Sequence, residues 1–196
     1  MKPILAISDL HPEKGFNRPL YDLLWQYSET HTIVYTGDCL QYPSSYKKVP
    51  YLSVSGNHDS GKCKDEYWTT DGIVFVHSHQ WDPNAETGGL GQDSIWAFFQ
   101  YLFKSKKFSL GPTHVVMTLE EMVRQPMDDV EYARIRDNVL PAVRARFGFL
   151  STLAMGHRHT RYARIIGNVA CINCGSGWKG EFVTIDDSGV RFHSFK

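Results

Sequence analysis

Apolar and polar positions along this chain of 196 residues fall into short blocks with distinct periods. Residues 3–8 (PILAIS) are an apolar run ending in small and acidic residues, the pattern of a buried strand. Residues 17–29 place Leu20, Leu23, Leu24 and Tyr27 at helical spacing behind Asn17, a residue type suited to an N-cap. Residues 31–36 (HTIVYT), 49–55 (VPYLSVS) and 73–77 (IVFVH) read as further strands. Strand, helix, strand, strand in this rhythm predicts an α/β core, a class that binds ligands at the carboxyl ends of its strands.

After His79 the texture changes. DPNAETGGLGQDS is turn-rich, and the apolar residues 94–103 (SIWAFFQYLF) run into KSKK. Residues 118–127 and 131–147 carry amphipathic helical patterns, the second with Tyr132, Ile135, Val139, Val143 and Phe147 on one side. Pro141 should kink that helix or start a new one, and Gly148 should end it. From 149 onward strand patterns return at 149–155, 161–166, 169–173, 180–186 and 190–194. The chain therefore reads as a single domain over 1–196, a β-rich core interrupted by a helical insertion at about 80–148.

Composition narrows the classes. Hydrophobic residues at 42% and charged residues at 21% exclude a disordered chain. Twenty-one Lys and Arg balance 21 Asp and Glu, so bulk charge does not support a nucleic-acid or membrane-surface binder. Four Cys are too few to build a fold of this size from disulfides. Cys171-x-x-Cys174 lacks the second pair that a zinc site needs, and reads as cysteines on a buried strand. The first apolar run is too short for a secretory signal, and no stretch reaches bilayer-spanning length. A soluble, cytoplasmic protein is expected.

The chemistry gathers at the predicted strand ends. Asp9-Leu10-His11 follows the first strand and Gly37-Asp38 the second. Gly56-Asn57-His58-Asp59 follows the third, His77 ends the fourth, and Gly156-His157-Arg158-His159 follows the strand beyond the insertion. Carboxylate, imidazole and amide oxygen are ligands for a pair of hard-to-borderline divalent metals. In Asp-x-His, residues two apart in an extended segment lie on the same side and can reach one ion. Each motif is commonplace alone; the ordered set is not.

That set, DLH, GD, GNHD, HSH and GHRH, resembles the signature of the calcineurin-like metallophosphoesterase superfamily from about residue 4 to the terminal strands, outside the insertion. The resemblance implies a β-sandwich flanked by helices. It also implies one metal on Asp9, His11 and His159, a second on Asn57, His77 and His157, and Asp38 bridging them. Two divalent ions about 3.5–4 Å apart can hold a hydroxide at neutral pH for in-line attack on phosphorus. Manganese leads the candidates, with Fe, Zn2+, Mg2+ or Ni2+ as the others. His58 follows a ligand and is assigned to the leaving group, with Asp59 orienting its ring or, alternatively, capping the next turn. The family commonly carries glycine where this chain has Ser78, which leaves open which of His77 and His79 binds metal; strand alignment favours His77. Arg158 and His79 are the expected substrate contacts.

The implied activity is metal-dependent hydrolysis of a phosphomonoester or phosphodiester. The rivals are a lipid-linked pyrophosphate hydrolase of the UDP-diacylglucosamine type, a nuclease, and a non-catalytic metal-binding scaffold such as the retromer subunit of this fold. Ile95, Trp96, Phe98, Phe99, Leu102 and Phe103 either pack the insertion onto the core or form an apolar lid beside Lys104, Lys106 and Lys107. Eight Lys and Arg against nine Asp and Glu over 80–150 make Arg134, Arg136, Arg144 and Arg146 part of a solvated mixed-charge face.

Overall fold

The computed structural model describes residues 2–11, 18–39, 49–59, 67–83, 85 and 113–195. The apolar segment 94–103, Lys104, Lys106, Lys107 and Cys63 lie outside the described residues.

All nine predicted strands form; the first eight are β1 (Ile4–Ile7), β2 (Thr32–Thr36), β3 (Leu52–Val54), β5 (Ile73–Val76), β7 (Thr152–Met155), β8 (Tyr162–Ile166), β9 (Val169–Asn173) and β10 (Glu181–Asp186). The last predicted strand is β11 (Gly189–Phe195). Two more were not expected, β4 (Tyr67–Thr70) and β6 (His114–Thr118). The described strands make two mixed sheets, ordered β3-β2-β1-β10-β11-β6 and β4-β5-β7-β9-β8. In the first, β1 and β2 run parallel with Ile4 beside Thr32, and β3 joins with Leu52 beside Val34. In the second, β5 and β7 run parallel with Ile73 beside Thr152.

Period-two alternation divides each strand between two cores. Ile4 and Ala6 face inward with Val34 and Val54, against Phe75, Ala154 and Ile172 of the second sheet. Leu5 and Ile7 point outward onto helix α1 (Arg18–Thr30), which buries Leu20, Tyr21 and Leu24. Both faces are covered, which is why these strands read as unbroken apolar runs.

The second sheet is covered by helix α3 (Asp129–Arg134), a π-helical turn (Ile135–Val139) and helix α4 (Leu140–Phe147). Ile135, Val139 and Val143 are fully buried against Val74, Val76, Leu153 and Met155. Each such side chain contributes about 1.5–3 kcal/mol. Pro141 has no N–H for the i−4 carbonyl, and the wide turn directly before it absorbs that mismatch without a break. Gly148 closes the helix at φ 73°, its N–H bonded to the Arg144 carbonyl at 2.8 Å. Helix α2 (Leu119–Val123) is shorter than the expected 118–127 and starts from a Thr118–Glu121 capping box. Within 80–148, the sequence reading of helix fails at β6, which pairs antiparallel with β11 in the first sheet. The two sheets and their flanking helices form a sandwich.

Candidate metal centre

The parallel strands of both sheets aim their carboxyl ends at one place. Asp9 and His11 leave β1, Asp38 leaves β2, Asn57 and His58 follow β3, His77 ends β5, and His157 and His159 follow β7. The loops bond to one another directly: Asp9 N–H donates to the Gly37 carbonyl and Leu10 N–H to the Asp38 carbonyl, each at 3.1 Å. Asp9, His11, Asp38, His157 and His159 all hold left-handed backbone, with φ between 43° and 78°. Strained conformations of this kind persist where the surroundings over-determine them, and they cluster at functional sites.

Two groups of donors converge, Asp9–His11–His159 and Asp9–Asp38–His77, with Asp9 common to both. His11 Nε2 faces His159 Nε2 at 2.9 Å. Asp9 Oδ1 lies 3.1 Å from His159 Nε2 and 3.8 Å from His11 Nε2, and among the described residues it is buried without a well-formed hydrogen bond. On the other side, His77 Nε2 lies 3.1 Å from Asp38 Oδ2 and 3.1 Å from Asn57 Oδ1. Its Nδ1 meets the Thr36 carbonyl at 2.8 Å, which orients the ring and leaves Nε2 toward the cluster. A buried carboxylate oxygen whose near neighbours are imidazole nitrogens turned toward it fits a divalent cation. A Cβ at Gly56 would collide with the Asp38 carboxylate and one at Gly37 with the His77 ring, so both glycines hold open the space that these two side chains occupy.

Electrostatics follow from the crowding. Burial raises the Asp38 carboxyl, but the His77 charge and hydrogen bond outweigh it and hold the group well below the usual carboxylate range. Burial lowers the His77 ring, and the Asp38 carboxylate overrules it, raising the imidazole to about 9. His79 goes the other way, to about 4, through burial and the His77 charge. His157 is lowered by the same two causes.

The His77–Asp38 pair predicts a pH dependence in metal-free protein. A histidine pKa raised by folding contributes stability that is complete below its unfolded value near 6.5 and is lost as pH rises through about 9. Chelator-treated protein should therefore unfold at lower temperature as pH is raised across that window. His77→Gln should remove most of that slope, and an unchanged slope would refute the assignment.

The remaining predicted residues divide. His58 is exposed, with its ring 5.3 Å from that of His11 and its backbone N–H bonded to Asp38 Oδ1 at 2.8 Å. It lines a cleft of about 270 Å³ with Asp38, Asn57, Asp82, Arg158 and His159. The Asp59 carboxylate accepts from the backbone N–H groups of Asp38 at 2.6 Å, Gly56 at 2.9 Å and Cys39 at 3.1 Å. His157 donates its backbone N–H to Asp9 Oδ2 at 3.0 Å, whereas its ring Nε2 faces Asp82 Oδ2 at 3.0 Å. Arg158 lies between Asp82 and Glu131, 3.1 Å from each. His79 sits in a 3-10 turn (His79–Trp81), its ring 5.4 Å from that of His77. Ser78, between His77 and His79, is fully buried at φ 72°.

Asp82, Glu131 and Arg134 also border the site, and no sequence motif includes them. Arg134, read as part of a solvated face, is 7% exposed. The signal was available: Glu131 and Arg134 share a helical stripe with apolar Ile135 and Val139, and charges on an apolar stripe need partners.

A family model, the calcineurin-like phosphoesterase superfamily domain, matches residues 1–184. The chain belongs to this superfamily. Among solved structures it is similar to a predicted phosphoesterase of Streptococcus pneumoniae, with a TM-score of 0.53 and 18% identity over 95% of this chain and 84% of that one. Vacuolar protein sorting 29 from Cryptosporidium parvum matches with a TM-score of 0.54 and 15% identity over 100% and 98% of the two chains. Zinc-complexed Vps29 from Entamoeba histolytica matches at 0.53 and 15%, over 97% and 91%. At these identities the likeness establishes the sandwich fold. No protein of curated function matches the sequence. Among the described residues, no helix is long and apolar enough to cross a membrane.

Proposed function

We propose that this chain is a metal-dependent phosphoester hydrolase, with Asp9, His11, Asp38, Asn57, His77, His157 and His159 as ligands for two divalent cations. One observation carries the reading: Asp9 joins His11 and His159 on one side and Asp38 and His77 on the other, beside the cleft of about 270 Å³. Divalent cations bound there supply charge neutralisation for a phosphate and bring water nearer to ionisation at neutral pH, and manganese is the first candidate. The protein's own residues do the rest. His58, on the rim and fixed through its backbone to Asp38, delivers a proton to the leaving oxygen. Asp59 supports it by tying the Gly56 turn to the Asp38 loop. Arg158 and His79 border the substrate. Buried free thiols at Cys39, Cys171 and Cys174 suit a reducing, cytoplasmic setting.

The test is hydrolysis of p-nitrophenyl phosphate and bis-p-nitrophenyl phosphate with Mn2+ and with EDTA. Turnover that needs Mn2+ and stops with EDTA is expected, and the ratio of the two rates distinguishes monoester from diester chemistry. Protein that binds Mn2+ but cleaves neither ester would turn the reading toward a scaffold.

A further inference from the structure

Helix α3 carries a charged pair on the face it turns to the core, with Glu131 only 3% exposed. Buried charges are costly unless every donor and acceptor is used. Arg134 donates from Nε to Glu131 Oε2 at 2.8 Å and from Nη2 to Oε1 at 2.7 Å. Its Nη1 goes further, to the Ser78 carbonyl at 3.0 Å, with Nη2 3.4 Å from the Ser78 hydroxyl. Ser78 is the residue between His77 and His79. On the other side, Glu131 Oε2 lies 3.1 Å from Nε of Arg158, the residue between His157 and His159. Arg158 Nη1 meets Asp82 Oδ2 at 3.1 Å, and that same oxygen faces His157 Nε2. The Tyr162 hydroxyl also bonds to Glu131.

One carboxylate thus joins, through two arginines, the loop after β5 to the loop after β7. Both loops hold left-handed backbone, at Ser78 on one and at His157 and His159 on the other. Their strands lie side by side up to Val76 and Met155; beyond these, the Gly156 N–H donates to the Val76 carbonyl at 3.2 Å and the Ser78 hydroxyl lies 3.5 Å from the Gly156 carbonyl, contacts that leave the ring-bearing ends of both loops to the arginines.

We propose that Glu131 is a positioning residue for the metal centre: from a helix outside the ligand loops, it sets the separation of the His77 and His157–His159 segments and thereby cation affinity. The inference rests on the metal reading above. Partners that orient metal ligands typically change affinity by about 10- to 100-fold when removed.

The test uses metal-stripped full-length protein, titrated with Mn2+ and followed by the electron paramagnetic resonance of the free ion, beside thermal unfolding without metal. Wild type should bind about two ions. Glu131→Gln, which keeps the shape but cannot balance two guanidinium groups, should weaken binding by about 10- to 100-fold. Tyr162→Phe, which removes a hydroxyl that meets Glu131 and lies 3.5 Å from Asn173 Nδ2 while leaving both arginines on the carboxylate, should bind like wild type. Glu131→Gln protein that melts earlier yet binds Mn2+ normally would reduce the network to packing and overturn the proposal. So would equal weakening by Tyr162→Phe. Should Glu131→Gln fail to fold, Arg134→Lys carries the test, and unchanged affinity there overturns it. Wild-type protein that binds no Mn2+ would overturn the metal centre itself, and this inference with it.

Discussion

Asp38→Asn should lower metal-dependent phosphoester turnover by more than about 100-fold, beyond what losing a mere support to a metal ligand costs. The carboxylate is almost fully buried, and its two oxygens have different duties. Oδ2 lies 3.1 Å from His77 Nε2, whereas Oδ1 accepts the His58 backbone N–H at 2.8 Å. Asparagine is nearly isosteric, so the fold should survive. An amide, however, brings no negative charge, and one of its ends is a donor. Whichever way it turns, either the cation loses a ligand or the His58 N–H loses its acceptor. Steady-state kinetics with a generic phosphoester, beside a measurement of bound Mn2+, decides the matter. Undiminished kcat would sink the assignment of Asp38 to the centre.

Asp59→Ala should act on the fold instead. Its carboxylate, 4% exposed, gathers three backbone N–H groups from two separate loops. Alanine leaves these donors without that acceptor, at a cost of about 3–4 kcal/mol in sum. For a chain of this size, that lowers Tm by roughly 6–16 °C. Burial and the nearby Asp38 charge push the Asp59 carboxyl above its usual range. Asp59→Asn removes that repulsion while keeping one acceptor oxygen, so it should lose less. Thermal unfolding of the metal-free variants gives the comparison. An Asp59→Ala protein as stable as wild type would show that the three bonds are dispensable.

The places where the candidate site residues gather were legible in the sequence because each follows a run that reads as a strand. The outward and inward sets of β1, Leu5 and Ile7 against Ile4 and Ala6, explain why no alternation was visible there. β4 and β6 escaped notice for the opposite reason. Both lie at sheet edges, Tyr67–Thr70 half-covered and His114–Thr118 largely exposed, and edge strands carry a weak apolar signal. The Glu131 network was hidden by distance along the chain: its members at 78, 82, 131 and 158 meet only after two sheets and a helix are in place. The aim of His157 toward Asp82 is another tertiary fact, set by a residue that no motif includes.

The left-handed backbone at Asp9, His11, Asp38, His157 and His159 has a chemical consequence. Apart from glycine, the residues that enter this region most readily are Asn, Asp and His. Loops of this shape therefore screen their own donor atoms, admitting carboxylate oxygen and imidazole nitrogen with least strain. Thiolate, the donor that would draw the site toward soft ions, has no such advantage. The main chain's curvature thus acts as a filter on the periodic table before any side chain meets an ion.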